Sequence, residues 1–147
     1  QVVRRRRWLS RERFWELPLA DLPRLFGALH ATGRRIAVAT TDDRRPTEAT
    51  LAALGIADLV TAVLCGDDAG PTKPDPAALA ALADRAGVAI DRTAIIGDTP
   101  ADLEMGRVAG AGQVIGVRSG VTDGAVLEPL ADLVIDSVAA LADASTT

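Results

Sequence analysis

The sequence predicts an α/β fold, a doubly wound and mostly parallel Rossmann-like sheet with helices on both faces. Two observations support this prediction. Short apolar runs alternate along the chain with Ala- and Leu-rich amphipathic runs, as in repeated βαβ units. The apolar runs are continuous rather than alternating with polar residues, which is typical of strands buried on both faces of a parallel sheet.

Helices are predicted where a capping residue precedes an amphipathic run and a glycine follows it. Asp21 and Asp75 are N-cap residues with a proline in the following turn, and Gly33, Gly87 and Gly110 come just after predicted helix ends. These signals predict helices over residues 22–31, 46–54, 76–86 and 100–109, with weaker ones over 124–131 and 138–142.

Strands are predicted over the short apolar runs between these helices. They cover residues 36–40, 61–65, 93–97, 114–117 and 133–135. Residues 1–20 lie outside this alternation. A helix over 10–17 is expected there, separated from the rest by Pro18 and Pro23.

Composition limits the classes of protein that this chain can belong to. Its 147 residues suit one domain, and 48% apolar residues are enough for a core. No apolar run approaches the roughly 20 residues of a membrane span. Cys65 is the single cysteine, so an internal disulfide is excluded. The basic start has no apolar segment behind it, unlike a signal peptide. We therefore expect a cytoplasmic protein without a membrane partner.

Charge is distributed unevenly along the chain. Residues 1–13 contain six arginines and one acidic residue, whereas the rest contains 10 basic and 19 acidic residues. This pattern is compatible with a nucleic-acid-binding arm, or with a solvated or interface-facing helix. Neither interleaved aromatic residues nor zinc-ligand spacing supports the arm, and we expect no nucleic-acid partner.

Polar side chains follow each predicted strand, at the sheet edge where parallel α/β folds bind ligands. Thr40 and Thr41 follow the first, Lys73 lies in the loop after the second, and Asp98 and Asp102 follow the third. Hydroxyls, an ammonium and two carboxylates at one edge indicate an anion held together with a cation.

Asp98 and Asp102 are candidate Mg²⁺ ligands, since Mg²⁺ takes one or two protein carboxylates and keeps several waters. The alternative is helix capping, with Thr99 as N-cap and Asp102 at the third helical position. Capping accounts for Asp102 but not for Asp98.

Lys73 is the one lysine in a chain with fifteen arginines, and a compact point charge is not reproduced by a guanidinium. Its position could also be chance. Thr40, followed by backbone N–H groups, could bind a phosphoryl oxygen, or it could cap the next helix.

Three ordered segments resemble the motifs of the haloacid dehalogenase superfamily, particularly its phosphoglycolate-phosphatase-like branch. They are the strand ending in Ala39-Thr40, Lys73-Pro74-Asp75-Pro76, and Gly97-Asp98-Thr99-Pro100-Ala101-Asp102. The resemblance covers about residues 20–142.

The resemblance implies Mg²⁺-dependent hydrolysis of a small phosphate monoester, with a small phosphorylated metabolite as substrate. Thr40 and Thr41 would bind the phosphoryl group, and Lys73 would neutralise it. Asp98 would bind Mg²⁺, and Asp102 would support the metal or orient Lys73.

The sequence departs from the family at the nucleophile, the first Asp of an Asp-x-Asp motif that ends the first strand. No aspartate precedes Asp21. We therefore expect the central first strand to be missing between the strands ending at Thr40 and Gly97. Residues 1–20 would be a cap-domain remnant or linker, and residues 21–147 a partial core that an N-terminal segment would complete.

Two functions stay open at this point. The chain could be part of a longer phosphatase and inactive by itself, or a non-catalytic module, degenerate or split, that binds phosphate or a partner. A receiver domain also uses Asp, Thr and Lys, but there the carboxylates come first and the lysine last. An Asp-x-Asp encoded upstream in the same reading frame would favour the phosphatase.

Overall fold

The computed structural model describes residues 2–4 and 21–141. Strands and helices alternate through this part of the chain, as predicted. The strands are β1 (Val2–Arg4), β2 (Ala37–Ala39), β3 (Ala62–Leu64), β4 (Ala94–Gly97), β5 (Gln113–Val117) and β6 (Leu133–Ile135). The helices are α1 (Leu22–Ala31), α2 (Arg44–Ala53), α3 (Pro76–Ala86), α4 (Pro100–Ala109) and α5 (Gly124–Leu127).

The strands form one sheet in the order β3-β2-β1-β4-β5-β6, and every described pairing is parallel. The order runs outward from the centre in both directions, as in a doubly wound sheet. The predicted fold class is therefore confirmed. Because the strands are parallel, the loops that follow them meet at one edge.

The central position of the sheet differs from the expectation. Instead of a gap between β2 and β4, the structure places β1 there. Val3 pairs with Val38 on one side and with Ile96 on the other. β2 and β4 would otherwise expose unpaired backbone N–H and C=O groups at the centre of the sheet, and a short β-branched segment satisfies part of that need. This strand ends at Arg4 and carries no aspartate. The rest of the expected cap remnant or linker lies outside the described residues, as does the helix expected over 10–17.

Helices α1, α3 and α4 have the predicted bounds because local capping defines them. Asp21 accepts a hydrogen bond from Arg24 N at 3.2 Å, and Asp75 accepts one from Ala77 N at 2.9 Å. Gly87 ends α3 in the left-handed region at φ 71°, which a residue with a Cβ rarely adopts.

Three predicted helices differ from the structure. α2 begins at Arg44 rather than at residue 46, because Pro46 is tolerated in a first helical turn. The helix predicted over 124–131 is split into α5 and a 3₁₀ turn at Glu128–Leu130, since Pro129 has no N–H to continue the α-helical pattern. The predicted closing helix is a 3₁₀ turn over Val138–Ala140.

The core has a layer on each face of the sheet, because neighbouring strand residues point to opposite faces. Val38 packs in the cluster that contains Leu25, Phe26 and Leu29 of α1. Ala37 and Ala39, on either side of it, pack with α3 and α4 through Leu79, Leu82 and Met105. Helices therefore cover both faces. Within residues 2–4 and 21–141, none of the helices is long and apolar enough to cross a bilayer.

Candidate active site

The predicted site residues all lie on segments that meet at the carboxyl edge of the sheet. Thr40 directly follows β2 and Asp98 directly follows β4, with β1 between these two strands. Neighbouring strands lie about 4.8 Å apart, which puts the two backbones roughly 10 Å from each other. Lys73 and Asp102 join this edge from the loop before α3 and from the first turn of α4.

Lys73 and Asp102 form a buried ion pair. The distance from Lys73 Nζ to Asp102 Oδ1 is 2.7 Å, and the two side chains are 3% and 2% exposed. Thr99 Oγ1 donates a hydrogen bond of 2.8 Å to Asp102 Oδ2. Both carboxylate oxygens of Asp102 are therefore engaged, which favours an orienting role toward Lys73 over the role of metal ligand.

A glycine makes room for this carboxylate at the end of β4. A Cβ on Gly97 would lie 2.5 Å from Asp102 Cβ, closer than two packed carbon atoms approach each other, and 3.1 Å from Asp102 Oδ2. Gly97 therefore allows α4 to turn back against the strand that precedes it.

Capping of the next helix holds the loop that carries Lys73. Asp75 N donates to Thr72 O at 2.9 Å, and the Asp75 side chain caps α3. The peptide bond between Lys73 and Pro74 is cis. Lys73 lies three residues before the first residue of α3, and its ammonium pairs with Asp102.

Thr40 lies at the end of β2 and is 1% exposed. Its N–H donates to Leu64 O at 2.9 Å, which continues the pairing with β3. Its hydroxyl donates to Asp42 Oδ2 and accepts from Asp42 N, both at 3.1 Å. This turn, rather than the cap of α2, is what the hydroxyl stabilises, since Asp43 is the N-cap of that helix. Thr41 is exposed at the same edge.

Arg44 is a residue that the sequence reasoning missed. Its guanidinium binds both carboxylate oxygens of Asp68, at 2.9 and 2.7 Å, and donates to Val63 O at 3.1 Å. Its backbone N–H donates to Asp67 Oδ1 at 2.8 Å. Arg44 thus ties the loop after β2 to the loop after β3, and its hydrogen bonds hold the pKa of Asp68 below the ordinary value.

Cys65 lies beside this cluster and is a core residue. It is fully buried, and burial raises the pKa of its thiol. Potential ligand atoms of Cys65, Asp67 and Asp68 lie within 4.8 Å of one another, but Asp68 is committed to Arg44 and to Cys65 N. The cluster is therefore explained by the contact between the two loops.

Asp98 is half-buried, and its Oδ1 is shielded from solvent. Its Oδ2 accepts a long hydrogen bond of 3.4 Å from Val121 N. A single carboxylate at a ligand-binding edge fits Mg²⁺, which combines one or two carboxylates with substrate phosphate and water. Asp98 therefore has the donor chemistry for this metal, whereas Asp102 faces an ammonium.

A cavity of about 540 Å³ lies at the opposite edge of the sheet. Its lining includes Arg34 and Arg35 before β2, Arg92 before β4, and Gln113 and Leu133 at the starts of β5 and β6. None of the candidate site residues lines it. It therefore belongs to a different surface from the candidate site.

Comparison with known proteins identifies the family. A family model described as haloacid dehalogenase-like hydrolase matches residues 2–110. The chain is 39% identical over 123 residues to the phosphoglycolate phosphatase of Rhodospirillum rubrum, covering 81% of this chain and 49% of that protein. It is 32% identical over 127 residues to the phosphoglycolate phosphatase of Agrobacterium fabrum, covering 86% and 54%. The chain thus spans about half the length of these curated relatives.

Solved structures show the same fold. A predicted phosphoglycolate phosphatase from Haemophilus somnus has a TM-score of 0.77 at 24% identity, over 86% of this chain and 56% of that one. A hydrolase from Pseudomonas syringae has a TM-score of 0.74 at 28% identity, over 90% and 61%. With the family model and the curated relatives, these matches show that the chain belongs to the haloacid dehalogenase-like hydrolases, in the phosphoglycolate-phosphatase-like branch.

Proposed function

We propose that this chain forms the phosphate- and Mg²⁺-binding core of a phosphatase that acts on a small phosphate monoester. The observation that carries the proposal is the buried Lys73–Asp102 pair at the ligand-binding edge. Burying an ion pair is costly, and well-packed apolar residues are often as stable or more so. A buried ammonium at this edge is therefore best explained by a bound anion. Two relatives of similar sequence are named phosphoglycolate phosphatases.

Lys73 offsets the negative charge of the bound phosphoryl group in this proposal. Phosphoryl transfer depends on positioning and on stabilisation of charge. Asp102, which accepts a hydrogen bond from Thr99, holds the ammonium in place before the substrate arrives, so that little reorganisation accompanies binding. Asp102 is a positioning residue in this scheme, because it acts through Lys73.

Thr40 and Thr41 bind the phosphoryl oxygens. The Thr40 hydroxyl now donates to Asp42, so it must turn away from that carboxylate to donate to a phosphoryl oxygen. Thr41 is exposed and needs no such exchange.

Asp98 would hold Mg²⁺ at the carboxyl end of β4. When bound, the metal would neutralise charge on the phosphoryl oxygens and help to orient them. In this proposal Asp102 orients Lys73 and does not bind the metal, because its two oxygens pair with Lys73 and accept a hydrogen bond from Thr99.

The nucleophile is the part that this chain does not supply. The central strand ends at Arg4, and Arg5, Arg6 and Arg7 follow it in the sequence, where the family has its Asp-x-Asp. We therefore propose that residues 21–147 contribute the core, that the chain alone does not hydrolyse phosphate esters, and that activity requires an Asp-x-Asp strand at this position.

A second candidate function is phosphate binding without hydrolysis. The observation that favours it is β1 itself, which fills the central position of the sheet without an aspartate at its end. Such a module would use Lys73 and Thr40 to hold a phosphate and would carry out no transfer.

Phosphate binding and turnover together test the proposal. Binding of inorganic phosphate to the chain in excess Mg²⁺ is measured by calorimetry for the wild type, Lys73→Ala and Arg45→Ala. Arg45 is exposed, and Arg45→Ala is the matched control because it also removes one positive charge. We expect Lys73→Ala to weaken binding by about tenfold or more, since a charged hydrogen bond contributes roughly 1.5–3 kcal/mol. Arg45→Ala should bind like the wild type.

Turnover is measured on the chain and on a chimera. The chimera joins the N-terminal part of the Rhodospirillum rubrum relative, including its first strand, to residues 21–147. We expect the chain alone to be inactive and the chimera to hydrolyse phosphoglycolate with Mg²⁺. Phosphate binding that is unchanged in Lys73→Ala would refute the proposed phosphate site. A folded chimera that binds phosphate without turnover would favour the second candidate.

A further inference from the structure

The loop between β5 and α5 approaches Asp98 very closely. A Cβ on Gly120 would lie 2.5 Å from Asp98 Oδ2 and 2.7 Å from Asp98 Cγ, and it would also overlap Asp98 Cβ. Gly120 is not among the glycines with positive φ. The glycine is therefore required by the proximity of Asp98, and not by the backbone conformation of the loop.

The same loop also contacts the Asp98 carboxylate directly. Val121 N donates to Asp98 Oδ2 at 3.4 Å, a long and weak hydrogen bond. Gly120 limits where the side chain can lie, and the Val121 N–H favours one orientation of the carboxylate. Together they restrict both the position and the rotation of Asp98.

The loop is anchored at its start. Arg118 N donates to Ile135 O at 2.9 Å, and Ser119 N donates to Asp136 O at 3.0 Å. The Arg118 guanidinium reaches Asp136 Oδ1 and Glu128 Oε1, each at 3.1 Å. These contacts fix the loop against β6 and the turn after α5.

A second glycine, Gly124, lies against the Arg118 side chain that anchors the start of the loop. A Cβ on Gly124 would lie 2.7 Å from Arg118 Nε and 3.0 Å from Arg118 Cγ. The end of the loop is held by Asp123, which caps α5 through Ala125 N at 3.0 Å. The loop is thus held at both ends, and Gly120 lies between the two anchors.

We propose that residues 118–121 form a positioning loop for Asp98, and that Gly120 and the Arg118 anchor set the geometry of this metal-binding carboxylate. The metal part of the proposal rests on the proposed function. The contact between Gly120 and Asp98 does not, and it can be tested in the chain without any metal.

A double-mutant cycle tests the contact. Gly120→Ala is made in the wild type and in Asp98→Gly, which removes the atoms that the new methyl group would meet. Urea unfolding is followed by circular dichroism. We expect Gly120→Ala to raise the unfolding equilibrium constant at least tenfold in the wild type and less than threefold in Asp98→Gly. The same substitution is also made in Asp98→Ala, which keeps the Asp98 Cβ. Gly120→Ala should therefore lose nearly as much stability in Asp98→Ala as in the wild type.

Gly27→Ala is the matched control. Gly27 lies in α1, and a Cβ there would meet nothing within 4 Å, so this variant should lose no stability. An equal loss from Gly120→Ala in all three backgrounds would overturn the proposal, because the cause would then lie elsewhere in the loop. The absence of any loss in the wild type would overturn it as well.

Paramagnetic broadening by Mn²⁺ tests the consequence for the metal. Amide signals of Asp98 and Val121 are followed during a Mn²⁺ titration of the ¹⁵N-labelled chain. We expect Gly120→Ala and Arg118→Gln to need at least tenfold more Mn²⁺ for the same broadening, and Gly27→Ala to match the wild type. Equal broadening in all variants would refute the role of the loop toward the metal. No local broadening in the wild type would instead refute the metal site, and the unfolding cycle would still decide the contact.

Discussion

Replacing Asp102 by asparagine should destabilise the fold strongly, although the change adds no volume and opens no cavity. The substitution removes the negative charge that faces Lys73 Nζ at 2.7 Å, and both side chains are almost fully shielded from water. The ammonium would then be buried without a counterion. The Thr99 hydroxyl can still hydrogen bond to the amide, so the loss reports mainly on the charge.

The expected magnitude follows from two opposing terms. At 2.7 Å and an effective dielectric constant of about 20, the attraction between unit charges is about 6 kcal/mol. Desolvation of each ion costs several kcal/mol, so the net contribution of the intact pair is small. Removing one partner keeps the cost of burying Lys73 and loses the attraction. We expect the free energy of unfolding to fall by about 3 kcal/mol, at the lower end of the range for a broken buried pair.

Urea unfolding at pH 7 measures this loss, and the double variant Lys73→Met/Asp102→Leu is the control. Replacing both ions with apolar side chains should restore stability to within about 1 kcal/mol of the wild type or above it. A loss below about 1 kcal/mol for Asp102→Asn would refute the reasoning, since such values are typical of exposed pairs. A double variant as unstable as Asp102→Asn would also refute it.

Three further outcomes are expected. Asp98→Asn should abolish Mg²⁺-dependent turnover of the chimera while changing the urea midpoint little, and unchanged turnover would remove Asp98 from the metal site. Lys73→Arg should weaken phosphate binding at least tenfold in calorimetry, because the buried space beside Asp102 holds a compact ammonium and a planar guanidinium has a different shape. Binding like that of the wild type would show that charge alone suffices. Arg44 lowers the pKa of Asp68 in the folded state. The Asp68 carboxylate therefore stabilises the fold fully above its unfolded pKa near 4, and this stabilisation is lost as the pH falls through the lower pKa of the folded state. Arg44→Ala should therefore reduce the difference in unfolding free energy between pH 7 and pH 2, and an unchanged difference would show that this pair does not contribute.

Sequence reasoning succeeded where local rules decide the structure. α1, α3 and α4 each have a capping side chain and a proline near the start, and their predicted bounds match the structure. The neighbouring residues Ala37 and Val38 lie in opposite core layers, which follows from a continuous apolar run read as a strand.

Sequence reasoning failed where contacts between residues far apart in the chain decide the structure. Val2 and Val3 have no pattern that marks a strand, and β1 is defined by the two strands that flank it. The contact between Arg44 and Asp68 joins residues 24 positions apart, so no local spacing could reveal it among fifteen arginines. For Asp102, the sequence left metal binding and orientation of Lys73 open, and local spacing could not reveal the contacts of its two oxygens with Lys73 and Thr99, which favour orientation of Lys73.

Burial of the one lysine gives this protein a natural chemical reporter. Lys73 is 3% exposed at its side chain, and no other side-chain amine competes for an amine-reactive reagent. Modification of Lys73 requires the loop before α3 to open, so the rate of modification measures how often the site opens. A phosphate ion held by Lys73 would slow the reaction, and the same experiment would then report occupancy of the site.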